Sequence, residues 1–223
     1  MTRKAIVAGG VLAAVVVPVA VATAAKPPQN QLKLTSSAAI ITFGQGDTLS
    51  GQLTGPHNTG VKVQLQEQPA PFTTAFKNVA GAEVTTDNAG KVTFPVQHPT
   101  VSTHYRAVAN ASPRVTSPTL TLPVRYKVTL RLSDYTPKKG QRVRFSGSCA
   151  PANNGAIAFI QRRTATGGWR TVSRAVLKAA ATGNLSTYSK RIRLRSSGVF
   201  RTRVLHTSTN ATGTSRAKRE RVH

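Results

Sequence analysis

Apolar and polar side chains alternate with a period of two along much of the chain. Tyr126, Val128, Leu130 and Leu132 are interleaved with Arg125, Lys127, Thr129 and Arg131. Val143 and Phe145 alternate with Arg142 and Arg144, and Val61, Val63 and Leu65 with Lys62 and Gln64. Successive side chains of an extended chain point to opposite faces, so this pattern predicts strands with one dry and one wet face. Clusters of Gly, Asn and Pro interrupt it, at "GPHNTG", "TDNAGK", "CAPANNG", "TATGG" and "ATGN", and predict turns. The expected class is all-β, and short strands at this spacing suggest sandwiches. Only "SRAVLKAAA" would tolerate a helix, and we read it as strand followed by loop.

The pattern occurs twice. "GDTLSGQL" at Gly46 matches "GQRVRFSGSC" at Gly140, "GVKVQLQE" at Gly60 matches "GAIAFIQR" at Gly155, and "FKNV" at Phe76 matches "WRTV" at Trp169. "TTDNAGKVTF" matches "AATGNLSTY", "STHYRAV" matches "SGVFRTR", and "TSPTLTLPV" matches "TSRAKRERV". All six keep one order at an offset of about 93–98 residues. This predicts two tandem domains of one architecture, 26–123 and 124–223.

The second copy resembles the secreted immunoglobulin-like β-sandwich repeats of actinobacteria. The resemblance rests on Ser146-Gly147 ending a strand, a Pro/Gly turn at 150–155, and an apolar strand closing on Gln161-Arg162. It continues with Gly167-Gly168-Trp169, the turn from Thr182 to Ser186, and Gly198 to Arg201. With the looser first copy it covers about nine tenths of residues 26–223. It implies two tandem immunoglobulin-like β-sandwiches and a non-catalytic surface or secreted module. Cys149 stands where that group commonly has an aliphatic residue, and Gly183-Asn184 replaces an Asp-x turn.

Residues 1–25 read as an export signal. Arg3 and Lys4 precede the uncharged run Ala5 to Ala22, and Ala22-Thr23-Ala24 offers small residues for cleavage. The expected location is secreted or envelope-associated, with membrane contact only if the signal stays attached. One cysteine permits no internal disulfide. The formal charge is +25, from 31 basic and 6 acidic side chains. Residues 26–123 carry seven basic and four acidic groups, whereas residues 124–223 carry twenty-two basic and two acidic, Asp134 and Glu220. That asymmetry points the second domain towards polyanions.

Alternation places Arg191, Arg193 and Arg195 opposite Ile192 and Leu194. In an immunoglobulin-like order the first, second and fifth strands share a sheet. Arg125, Lys127, Arg131, Arg142, Arg144, Arg191, Arg193 and Arg195 are then expected on one outer face as a polyanion-binding surface. Anionic envelope polymers are the expected partners, with nonspecific nucleic-acid binding as the alternative. Ile157 and Phe159, opposite Ala158 and Ile160, offer a possible protein contact, which leaves a structural or recognition module as a further reading. No catalytic, cofactor, metal or small-molecule site is expected: the acidic residues are few, the histidines scattered, no G-x-S-x-G elbow occurs, and Cys149 reads as a small buried thiol. Lys218 and Glu220 replace Leu120 and Leu122 in the last strand. We therefore expect a frayed basic tail in preference to an edge strand blunted by charge.

Overall fold

The computed structural model describes residues 29–223; the expected export signal lies outside them. The described residues contain strands and no helix. In the N-terminal half these are β1 (Gln31–Ser36), β2 (Ile41–Thr42), β3 (Leu49–Thr54), β4 (Lys62–Pro69), β5 (Lys77–Thr85), β6 (Lys91–Thr93), β7 (Thr103–Ala109), β8 (Val115–Thr116) and β9 (Leu120–Leu122). In the C-terminal half they are β10 (Val124–Arg125), β11 (Lys127–Val128), β12 (Arg131–Leu132), β13 (Arg142–Ala150), β14 (Ile157–Arg163), β15 (Trp169–Val176), β16 (Lys178–Ala179), β17 (Ser186–Arg193), β18 (Gly198–Val204), β19 (Gly213–Thr214) and β20 (Lys218–Glu220). "SRAVLKAAA" contributes to β15 and β16 and runs into a loop at Ala180-Ala181, so it is strand followed by loop.

Each half is a β-sandwich with immunoglobulin-like strand order. Sheet β1-β3-β6 faces sheet β5-β4-β7, which is extended by β8 and β9. In the second half, β11 and β12 pair with β13, which is followed by β17 and β16; the opposing sheet is β15-β14-β18, extended by β19 and β20. The inward side chains form two separate cores. Leu32, Leu49, Leu53, Leu65, Phe94 and Tyr105 belong to the first, and Leu130, Val143, Phe145, Ile160, Tyr188 and Phe200 to the second. Phe145 on one sheet meets Phe200 on the other edge-to-face, with centroids 5.1 Å apart, an arrangement that aromatic quadrupoles favour. Ser146-Gly147 recurs because the glycine leaves space. A Cβ on Gly147 would lie 2.1 Å from the Thr129 carbonyl oxygen and 2.8 Å from the Tyr188 hydroxyl. That hydroxyl, pushed up in pKa by burial, is hydrogen-bonded across the core with the Thr202 hydroxyl at 2.7 Å and donates to the Thr129 carbonyl at 2.8 Å.

The repeat extends to single contacts. Ser117 Oγ accepts from Ala107 N at 2.9 Å, and Ser215 Oγ accepts from Thr202 N at 2.9 Å. Both hairpins, β4–β5 and β14–β15, are irregular at matching places along the central strand, between Gln64 and Gln66 and between Ile160 and Gln161. The last strands differ. Leu122 and Glu220 each pair with β7 and β18 respectively, and both are 0% exposed. The expected frayed tail is therefore an ordered strand: Lys218, Arg219 and Glu220 hydrogen-bond along β18 because the backbone ladder there outweighs the cost of an inward carboxylate.

A covered joint links the two halves. Strand β10 runs parallel to β2, with Ile41 N donating to Pro123 O at 3.1 Å and Phe43 N to Arg125 O at 3.0 Å. On its other side Ala211 N donates to Val124 O and Tyr126 N to Ala211 O. Asn210, buried at 3% exposure, donates from Nδ2 to Thr100 O at 3.1 Å and to Val124 O at 3.3 Å. Ser102 N donates to Thr209 O at 2.8 Å. Linkers that allow domain motion are exposed and crossed by few contacts; this one is bonded on both edges.

Two outcomes follow from these contacts. Asn210→Ala removes the donor shared by Thr100 and Val124, so both cores should stay folded while the joint loosens. Small-angle scattering should then show a broader distribution of end-to-end distances, and an unchanged profile would deny Asn210 this role. Burial, and the Asp134 carboxylate to a lesser degree, raise the Glu220 pKa, against an opposing pull from Arg162. Neither Glu220 oxygen has a hydrogen-bond partner. The folded state thus holds this proton more tightly than the unfolded chain does. Its stabilising contribution is complete below the ordinary carboxylate range and is lost as pH rises through the raised value. Glu220→Leu, the residue type of the first copy, should flatten this dependence and stabilise the protein near neutral pH by about 1–3 kcal/mol. Urea unfolding from pH 4 to 8 measures both effects.

Candidate polyanion-binding face

Strands β13 and β17 carry most of the expected basic residues, and their antiparallel register sets the geometry. Arg142 lies directly opposite Arg193, and Arg144 directly opposite Arg191. All four are exposed, and Phe145, Val143 and Leu194 line the buried side of the same strands. The next two outward rungs are Ser146 with Ser189 and Ser148 with Thr187. Same-face rungs of a strand pair are separated by about 6.8 Å. Arg131 on β12 lies beside Ser146, and Arg195 follows β17 in phase with Arg193.

Two of the expected residues stand apart. Lys127 pairs with Ala150, at the far end of β13 from Arg142, about 27 Å along the strand. Arg125 is not on this sheet. It pairs with Thr42 on one edge and bridges Ala211 on the other, because β10 belongs to the joint. Its departure from the expected face follows from the chain crossing between sandwiches before β11 begins.

Among the described residues the guanidinium groups of Arg131, Arg142, Arg144, Arg191, Arg193 and Arg195 make no hydrogen bond or ion pair. The described salt bridge is Lys62 with Glu83, 3.0 Å apart and exposed. Like charges directly opposite on a sheet are destabilising. The two arginine rungs therefore place four fixed cations against one another with no carboxylate from the protein to offset them.

Arginines on the opposing sheet are held differently. Arg201 stacks over Trp169 at 4.1 Å and donates from Nε to Gln161 Oε1 at 2.9 Å. Burial, and then the neighbouring Arg203, lower its pKa. The first copy repeats the device with Arg106, Phe76 and Gln66 at 4.2 and 2.8 Å. These arginines fasten a hairpin to the sheet, and sequence reading did not assign them that task. Arg174 covers the Phe159 ring at 5.6 Å. Ile157 and Phe159 point away from the core and are half-buried, beside the 51%-exposed Val176.

Cys149 is 0% exposed, and burial pushes its thiol up to about 12. The reactive thiolate is therefore scarce at neutral pH and out of reach of solvent. Among the described residues no group of three or more His, Cys, Asp and Glu side chains is gathered as metal ligands.

No family model and no curated protein matches the chain. Among solved structures it is similar to a tetra-tandem repeat in the extending region of a large adhesion protein, with 13% identity and a TM-score of 0.40. The match covers 87% of this chain and 50% of the other, so the chain spans about half the length of that structure.

Proposed function

We propose that the protein is an exported, non-enzymatic module that adheres to anionic envelope or extracellular polymers through its C-terminal sandwich. One observation carries this reading: the rungs Arg142–Arg193 and Arg144–Arg191 are exposed, directly opposed and unneutralised. Arginine's planar fork suits phosphate, sulfate and carboxylate oxygens. An anion seated on a rung replaces repulsion between two guanidiniums with attraction to both. The N-terminal sandwich, with its near-balanced charge, acts as a spacer whose orientation is set by the joint.

Changing Arg142, Arg144, Arg191 and Arg193 together to Gln tests the face. Folding should survive, with stability unchanged or raised by about 1 kcal/mol through lost repulsion. Retention on purified cell walls should fall, and the salt dependence of binding to a linear polyanion should flatten by roughly 0.7 per lost contact. The matched control changes Arg163, Arg170, Arg203 and Arg219, which lie on the opposing sheet. Equal losses from both sets would show diffuse charge attraction, and no loss from either would remove the adhesion reading.

A protein contact is the second reading, favoured by the apolar strip of Ile157 and Val176 beside Phe159. Phe159→Asp should fold, because the new carboxylate faces Arg174 and Arg203, and should weaken any self-association seen by sedimentation. Unfolding of this variant would instead make the ring a core element.

A further inference from the structure

Next to the arginine rungs, the same face opens into a groove of about 480 Å³. Its origin is topological. Strand β15 belongs to the opposing sheet, and β16 joins β17 only at Ser186 and Thr187. Beyond that point the edge of β17 has no hydrogen-bonded partner strand among the described residues, and Ser189 is exposed. Arg144 stands at one end of the groove and Lys178 at the other, with Ser146, Ser189 and Thr187 on the floor and Val176 on the wall.

The lining differs in kind from the rungs. Among the described residues the hydroxyls of Ser146, Ser189 and Thr187 find no hydrogen-bond partner, whereas the neighbouring Ser148 hydroxyl is engaged by Thr129 at 2.9 Å. Val176 is an exposed apolar side chain on the groove wall. Two cations, three unengaged hydroxyls and one apolar wall match a ring that has anionic substituents, hydroxyl groups and a C–H face. We infer that this groove holds a short stretch of an acidic glycan, whose anionic groups on successive sugars meet Arg144 and Lys178 and whose chain continues over the rungs.

This inference rests on the polyanion reading and narrows it. A bare polyphosphate satisfies the rungs and offers the apolar wall nothing. A single-stranded nucleic acid needs exposed aromatic platforms for its bases, and the one aromatic residue lining the groove, Tyr188, is buried at 4% exposure with its hydroxyl engaged in the core. Arg144 and Lys178 lie two rungs apart on the sheet, about 14 Å along the strand direction. That span suits acidic groups on successive sugars of one chain.

The test compares the unmodified protein with a variant carrying Ser146→Ala, Thr187→Val and Ser189→Ala, which keeps every charge. Each is titrated with polygalacturonate, a sulfated glycan, linear polyphosphate and single-stranded DNA of similar charge number, at one salt concentration. The inference expects the variant to lose about tenfold in affinity for one of the two glycans and to bind polyphosphate unchanged; the glycan affected identifies carboxylate or sulfate as the acidic group. A separate Lys178→Gln variant should weaken the same glycan more than polyphosphate, and it serves alone if the triple variant does not fold. Equal losses for glycans and polyphosphate, or no loss for any polymer, would overturn the groove assignment and leave the arginine rungs as the binding element. Preference of the unmodified protein for DNA over both glycans would overturn it in favour of a nucleic acid. If the unmodified protein bound none of the four, the polyanion reading itself would fall.

Discussion

The two faces of a sandwich strand have opposite demands, and almost everything in the C-terminal half follows from meeting both with a stretch that has only two acidic residues. The inward face must be apolar to form the core of Val143, Phe145, Leu194 and Phe200. The outward face must be polar. When arginine fills it on two adjacent strands, antiparallel register brings arginine opposite arginine. The register holds the backbones of Arg144 and Arg191 on one rung whatever their side chains do. The face is thus a standing electrostatic cost that only solvent ions or a bound anion can offset.

The same constraint separates two uses of one residue type. Where a glutamine and an aromatic ring lie within reach, as around Arg106 and Arg201, the guanidinium becomes part of the sandwich's own structure. Where the neighbours are serine and more arginine, it remains available. Composition counts both kinds alike, and only the register tells them apart. That difference is why net charge alone is a poor guide to which surface meets a partner.

Much of the architecture was legible in the sequence because period-two alternation is a local signal and the repeat doubled it. The opposition of β13 and β17 could be anticipated from the strand order. What escaped reading depended on neighbours remote in sequence. Arg125 alternates in phase with Lys127, yet it belongs to the joint because β2 and Ala211 claim its backbone. Glu220 looks like a solvent residue, and its burial comes from the β18 ladder closing over it. Gln161 meets Arg201 because the unbroken β14–β18 register sets the two directly opposite each other, and no composition rule marks that pairing. The groove beside Ser189 arises where a strand is missing, and an absent neighbour leaves no trace in the alternation of those present.

The joint at Val124 has a mechanical consequence. A tether with a swivel lets a surface-bound domain reorient, so a lateral pull is dissipated before it reaches the bound contacts. Here the carbonyls of Pro123 and Arg125 accept from Ile41 and Phe43 on one flank, and Val124 and Tyr126 are bonded on the other to Ala211, with Asn210 pinning the carbonyls of both halves. Torque applied to the N-terminal sandwich is therefore passed to the arginine face as torque. If a polymer binds along that face as proposed, it is loaded as a lever would load it, with the outermost rung giving way first and the rest following in order.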